Sequence, residues 1–524
     1  MFFQRHRDVV DVTGRGFVSH EILWFAAIMS VAAPSTMGLS PVDRWVEREI
    51  VTSPDILAEQ DRFGEAVASS GRLLVIGDHL GDGIVPRTGV VHVYDLETRR
   101  FVHRLALADG EERDFYGVSV AAHKRTILVG AQGHGEPRGG ILKTGAAYAY
   151  DAVTGDLIYE LIPADAEAGW AVGAGGLALN DEIMLVSATG ADGYSEDSGA
   201  VYIFDRATGA EVQRLIAPVS GRYPAFGTDL DFQGDRLLVS AAGASSGYNE
   251  EGAAFLFDLS TGEFLTELTT SLPKPWSRFG QAVAIDGSRM VVAAPGYTHV
   301  PSCPPGRVAV YDVESTQEQH VFEAWDGFPA NYLGRSIDLV EGLVLVGAPM
   351  DTFRGTESGA AYLFEVDSGA VVQKFTPNLR YWGGEFGTAV KIEGPLLIIG
   401  APGDTRSVSG VWVFERITPS TLLAQKGACG ARTRLVLSGA TPGGRVVFGW
   451  DGTLGTFNSP GPSCPGVMLN LAWPMAPGSP QIVTASSDGI AGIVVNIDPI
   501  RCGVVFAQAM DFETCEVSNL LRIE

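Results

Sequence analysis

From Phe386 to Arg416 the chain reads FGTAVKIEGPLLIIGAPGDTRSVSGVWVFER, and one period upstream, from Leu333 to Glu365, it reads LGRSIDLVEGLVLVGAPMDTFRGTESGAAYLFE. Aligning the apolar cores of such segments sets unit starts at residues 63, 116, 173, 226, 279, 333 and 386. A recurrence of this length indicates a solenoid, a propeller or an array. The internal pattern chooses among them, because every unit holds four apolar runs separated by turns, as a four-stranded antiparallel sheet would. In the second unit these runs are YGVSVA, TILVGA, GAAYAYD and LIYELIP, with AVTG as the bulged turn before the last.

One such sheet leaves both faces partly apolar, and a radial arrangement of neighbours buries them. Seven starts therefore predict seven blades. The seventh unit runs out after VWVFER, and RWVEREIVTS, Arg44 to Ser53, reads as its missing outer strand. Donating that strand would join the two ends of the ring and remove two open edges. The expected fold is all-β: a seven-bladed β-propeller of four-stranded blades over residues 41–417, closed by an N-terminal strand, with a small C-terminal β-sandwich over 418–524.

The Phe-Gly starts at Phe63, Phe226, Phe279 and Phe386, with Gly-Ala-Pro at Gly347 to Pro349 and Gly400 to Pro402, resemble FG-GAP repeats. These are the blades of the integrin alpha-chain propeller and of many bacterial exported proteins. Units one to four depart from the pattern, reading GDH, GAQ, SAT and SAA, and unit three starts at Gly173-Ala174. The resemblance implies cell adhesion or protein binding. It would also imply calcium in a DxDxDG loop between strands one and two, where carboxylates supply hard oxygen ligands. Here those links are turns such as EGP and DGS, so no metal is assigned, and calcium elsewhere stays an open alternative. The YDxxTG turns are also similar to quinoprotein-like propellers, but that family has eight blades with a Trp motif in each, whereas only Trp412 lies on a third strand here.

Residues 1–40 form a separate segment. Arg5, Arg7 and Arg15 precede the apolar run Ile22 to Ala33, and small residues follow, the order of an export signal. The run is too short to span a bilayer. The expected locale is secreted, periplasmic or cell-surface. With 37 basic against 62 acidic residues, a net charge of −25 excludes phosphate backbones as partners. Of five cysteines, Cys429, Cys464, Cys502 and Cys515 fall in the C-terminal piece without the CxxC pairs of a zinc site, so disulfides are expected. Four cysteines allow three pairings, and Cys502–Cys515 with Cys429–Cys464 is favoured.

In such a ring the short one-to-two and three-to-four turns lie on one face. The long, varied two-to-three links and the four-to-one links lie on the other, the candidate binding surface. Tyr194, Tyr248, Tyr297, Trp276, Trp325, Tyr381 and Trp382 lie in or beside these links and suit protein contact or sugar stacking. Asp192, Glu196, Asp197, Glu250 and Glu251 gather in two of them, either as solvated acids or as a cation site. The nine histidines lack HxH or HExxH spacing, and no GxSxG elbow occurs. The expected function is a non-enzymatic, exported, monomeric binding or adhesion protein whose loop face meets an extracellular protein or glycan. The alternatives are a secreted propeller enzyme, quinoprotein-like or polysaccharide lyase-like, with a site at the central channel, and a structural envelope component.

Overall fold

The computed structural model describes residues 44–417 apart from 56–60, 136–142, 194, 219–224, 244–250, 272–276, 297–305, 324–330, 353–356, 378–382 and 404–408. Beyond 417 it describes nine short strands. The described residues form strands and no helix.

Seven four-stranded antiparallel sheets follow one another along residues 44–417. In blade 2 the strands are Tyr116–His123, Thr126–Ala131, Ala146–Asp151 and Leu157–Leu161, in that order from the inside outward. The innermost strand of each blade touches that of the next, and the seventh touches the first, so the sheets close into a ring. In blade 7 the outer strand is Arg44–Val51, antiparallel to Gly410–Ile417, as the sequence predicts. A glutamine of blade 6 pins it further: Trp45 N–H donates to Gln373 Oε1 at 3.0 Å and Gln373 Nε2 donates to Trp45 O at 2.8 Å.

The apolar core is divided into seven parts, one in each gap between neighbouring blades. Phe63, Tyr116, Val172, Phe226, Phe279, Leu333 and Phe386 are all fully buried there. The glycine after each of them has φ between 79° and 99°, a region a side chain rarely enters. Its surroundings show why the Phe-Gly pair recurs. The glycine packs on the second strand of the preceding blade, where a Cβ at Gly77, Gly130, Gly347 or Gly400 would run into the carbonyl oxygen of Gly117, Gly173, Gly387 or Gly64. The repeated word is thus a contact between blades.

This contact corrects one register. The sequence places the third start at Gly173, but Val172 makes the bridge to Gly145 that Phe279 makes to Gly252 and Phe386 to Gly359. Val172-Gly173 therefore fills the Phe-Gly place, and the start moves to 172. The YDxxTG turns have a local cause as well. The aspartate carboxylate accepts the backbone N–H three residues on, as Asp205 does from Thr208 at 2.8 Å, which fixes the bulged hairpin.

The C-terminal strands form sheets of three, four and two strands, nine in all. The packing of these sheets on one another lies outside the described residues, as do all five cysteines and residues 1–43.

Candidate functional site

The long links share a common root. In blades 1, 2, 3 and 6 each begins with a tight turn in which Gly81, His134, Ala191 or Asp351 donates its N–H to the carbonyl three residues back, at 3.1 Å in every case. The same residue then accepts the N–H of the glycine that opens the third strand, Gly89, Gly145, Gly199 or Gly359, at 2.7–2.9 Å. Loops of different sequence are thereby launched from one geometry.

Blades 1 and 3 carry the feature further, with loops Asp82 to Gly89 and Asp192 to Gly199. Asp82 Oδ1 accepts the N–H of Arg87 at 3.1 Å, and Asp192 Oδ1 accepts that of Asp197 at 3.0 Å. The hydroxyls of Thr88 and Ser198 donate to Val85 O and Ser195 O. A fourth-strand arginine straps each loop, Arg104 donating to Asp82 O and Arg214 to Asp192 O. Each arginine is also paired to a carboxylate of the preceding link, Arg104 with Asp55 at 2.9 Å and Arg214 with Asp165 at 3.0 Å. A third-strand ring completes the arrangement. His92 lies 3.2 Å from Asp55, and Tyr202 donates to Asp165 at 3.0 Å. Arg214 also lies over the rings of Trp170 and Tyr202.

Blades 2 and 6 solve the same problem with buried acids. Asp114 takes His134 Nδ1 at 2.7 Å, Lys143 at 2.8 Å and the N–H of Glu111 at 2.7 Å. Burial opposes ionisation of Asp114, but these donors outweigh it and hold its pKa below the usual carboxylate range. The same contact raises the pKa of His134 although burial would lower it. In blade 6, Asp351 takes Tyr362 at 2.9 Å and Lys374 at 3.0 Å.

Of the residues singled out by sequence, Asp192 serves as the loop's internal cap, while Glu196 and Asp197 are exposed at its tip. Glu251 gives its carbonyl oxygen to Phe279 N–H and Ser277 Oγ, both at 2.8 Å. Tyr194, Tyr248, Tyr297, Trp276, Trp325, Tyr381, Trp382 and Glu250 lie outside the described residues. The straps were not picked out in the sequence. Their one signal is positional: His92, Tyr202 and Tyr362 stand opposite Arg104, Arg214 and Lys374 in register on the third and fourth strands.

The lumen holds a second set of polar residues. It has a cavity of about 350 Å³ towards the loop face and one of about 590 Å³ towards the turn face, each lined by all seven blades. Its carboxylates are committed to the neighbouring blade. Asp229 accepts the N–H of Val283 at 2.9 Å, Asp231 that of Ile285 at 2.9 Å, and Asp338 that of Ile392 at 2.6 Å together with Lys391 at 2.8 Å. Glu393 accepts Gly71 N–H at 2.9 Å across the ring closure. Burial pushes Asp229 up to about 7 and Asp231 up to about 6, against the lowering effect of those amides. Among the described residues, no group of three or more His, Cys, Asp or Glu side chains is placed to hold a metal ion.

The family description FG-GAP repeat matches residues 45–94, 100–150 and 316–364. Each matched span opens on or just before the outer strand of one blade and ends on the third strand of the next, so the unit of sequence is offset from the blade by one strand. That offset is what leaves the ring to be closed by Arg44–Val51. No curated protein matches the chain. Repeats of this kind in three places, on a closed ring of seven four-stranded blades, fit an FG-GAP β-propeller protein.

Proposed function

We propose that the chain is an exported, non-enzymatic binding protein that presents its long-loop face to an extracellular protein or glycan. The observation that carries this reading is the strapping of loops Asp82–Gly89 and Asp192–Gly199. Their roots and straps are alike while their tips differ, Ile-Val-Pro-Arg against Tyr-Ser-Glu-Asp. Loops held rigid before contact lose less entropy on binding, which favours affinity over a small area. Within this reading residues 1–40 act as the export signal, 418–524 as a disulfide-stabilised module, and Tyr194, Tyr248 and Glu196 as contact residues.

The test is a comparison of Tyr194→Ala and Tyr248→Ala with the parent chain on a glycan array and against extracellular proteins of the source. Both variants should melt with the parent and bind at least about tenfold more weakly. Unchanged binding in both would remove the loop face from the proposal. Turnover on a polysaccharide panel, or a cofactor absorbance in purified material, would replace it with the channel enzyme.

A further inference from the structure

The strapped loops of blades 1 and 3 share a root and differ at the tip. Position for position, residues 82–89 read Asp-Gly-Ile-Val-Pro-Arg-Thr-Gly and residues 192–199 read Asp-Gly-Tyr-Ser-Glu-Asp-Ser-Gly. Arg87 and Asp197 take the same left-handed φ, 60° and 54°. A Cβ at Gly83 would strike the Thr88 hydroxyl, as one at Gly193 would strike that of Ser198. Blade 3 thus builds the same turn with Ser195 and Glu196 where blade 1 has Val85 and Pro86. The turn itself does not require apolar residues there.

They are nevertheless held out in solvent. Ile84 is 62% and Val85 37% exposed, and Pro86 beside them is exposed too. Single exposed apolar residues need no explanation, but three in succession on a braced loop point to a contact.

The chemistry of the tip selects the partner. Aliphatic side chains offer a sugar no aromatic face and no hydrogen bond, whereas they gain by burial in an apolar cleft. Arg113 N–H donates to Arg87 O at 3.0 Å, which lays residues 109–113 beside the loop. There Asp82, Asp109, Glu111 and Glu112 are exposed against one exposed base, Arg113. Even with Glu111 paired to Lys143 at 2.8 Å, the surround is acidic. It repels an anionic lipid surface and complements a basic one.

We propose that Ile84, Val85 and Pro86 form an apolar plug that enters a cleft of a partner protein, with an apolar floor and a rim of Lys or Arg. This inference rests on the binding role proposed above and chooses protein over glycan for blade 1.

The probe is the full chain carrying photoreactive p-benzoylphenylalanine in place of Pro86, irradiated with the secreted proteins of the source. The same residue in place of Glu196 is the control on the other loop. An adduct with one protein should form at 86, on a surface of apolar residues flanked by Lys or Arg. Excess parent chain should suppress it, and excess Ile84→Ser chain should not. The purified partner should bind Ile84→Ser, and Val85→Ser with Pro86→Glu, at least about tenfold more weakly than the parent. Asp109→Lys with Glu112→Lys should weaken binding at least about threefold at about 0.05 M salt and less at higher salt. Melting temperatures equal to the parent's establish that the variants fold, as the blade 3 loop leads one to expect. No suppressible adduct at 86, variants that bind as the parent does, or an adduct on a polar or acidic surface would each overturn the proposal. So would loss, in Ile84→Ser, of binding to vesicles of phosphatidylcholine and phosphatidylglycerol in place of any protein adduct. An adduct at 196 alone removes this plug and leaves the loop face, whereas no adduct at either position together with a silent glycan array removes both.

Discussion

Carboxylates line the lumen and stud the loop face, and Asp229 and Asp231 of the first set are held in the opposite way to the second, whereas Asp338 of the lumen has Lys391 beside it. In the lumen, Asp229 and Asp231 accept backbone amides of the next blade, and no cation is bonded to them. On the loop face, Asp55, Asp165, Asp114 and Asp351 are each paired with an Arg or Lys reaching across the same sheet or from the adjoining one. Burial dominates the first set and raises its pKa values, whereas donors dominate in Asp55 and Asp114 and lower theirs. The lumen acids therefore join blades at an electrostatic cost. The loop acids fix the shape of a surface, and their donors favour the charged form of Asp55 and Asp114.

The largest way to break this contrast is to open a seam without touching a loop. Gly347→Ala would drive a methyl group into the Gly387 carbonyl between blades 6 and 7, costing about 3 kcal/mol. Denaturant unfolding should show a lowered midpoint, while the straps of blades 1 and 3 are untouched.

Asp338→Ala should have the next largest effect. It strands Lys391 and the Ile392 amide together, and because the lumen admits water to the lysine the loss is about 2 kcal/mol. Asp338→Asn, which can still accept the amide, should cost less.

The pH dependence sharpens the comparison. A carboxyl whose folded pKa lies above its unfolded value near 3.9 contributes stability fully present below about pH 4 and lost as pH rises through the folded value. For Asp229 that window runs from about pH 4 to about 7, so the chain should melt at lower temperature at pH 8 than at pH 5. Asp229→Asn should flatten that slope and raise the melting temperature at pH 8 by about 2 °C. Asp114 carries the opposite sign, its stabilisation disappearing only as pH falls below the usual carboxylate range. A melting profile that rises from pH 5 to pH 8 would contradict the lumen assignment.

Smallest of all, Arg214→Ala should cost about 1 kcal/mol, since its ion pair is part-exposed. Its effect on binding should exceed its effect on melting, because the loop Asp192–Gly199 loses its strap. Equal losses in both would make Arg214 a stability residue only.

The ring, its seven blades and the strand exchange at Arg44–Val51 were legible because blade contacts repeat, and each repetition prints the same Phe-Gly and small-residue words into the chain. The third start was misplaced by one residue because Val172 stands where other blades have an aromatic residue or leucine, and only its bridge to Gly145 identifies it. Asp192 read as a solvated acid or a cation ligand because neither the Asp197 amide that its carboxylate accepts nor the Arg214 guanidinium on its backbone carbonyl is encoded as a local motif. The stitches in the lumen were missed for a similar reason. Asp229 and Val283 stand 54 residues apart and meet only once the ring has closed.

By itself the sequence determined the unit, its number and its closure, since strand alternation, turn chemistry and the Cβ-free approach of neighbouring blades are local or periodic demands on residue type. The tertiary structure decided which carboxylates are committed and to what, and which loops are strapped. Those outcomes depend on distances between residues in different blades, and such distances exist only when all seven sheets are in place.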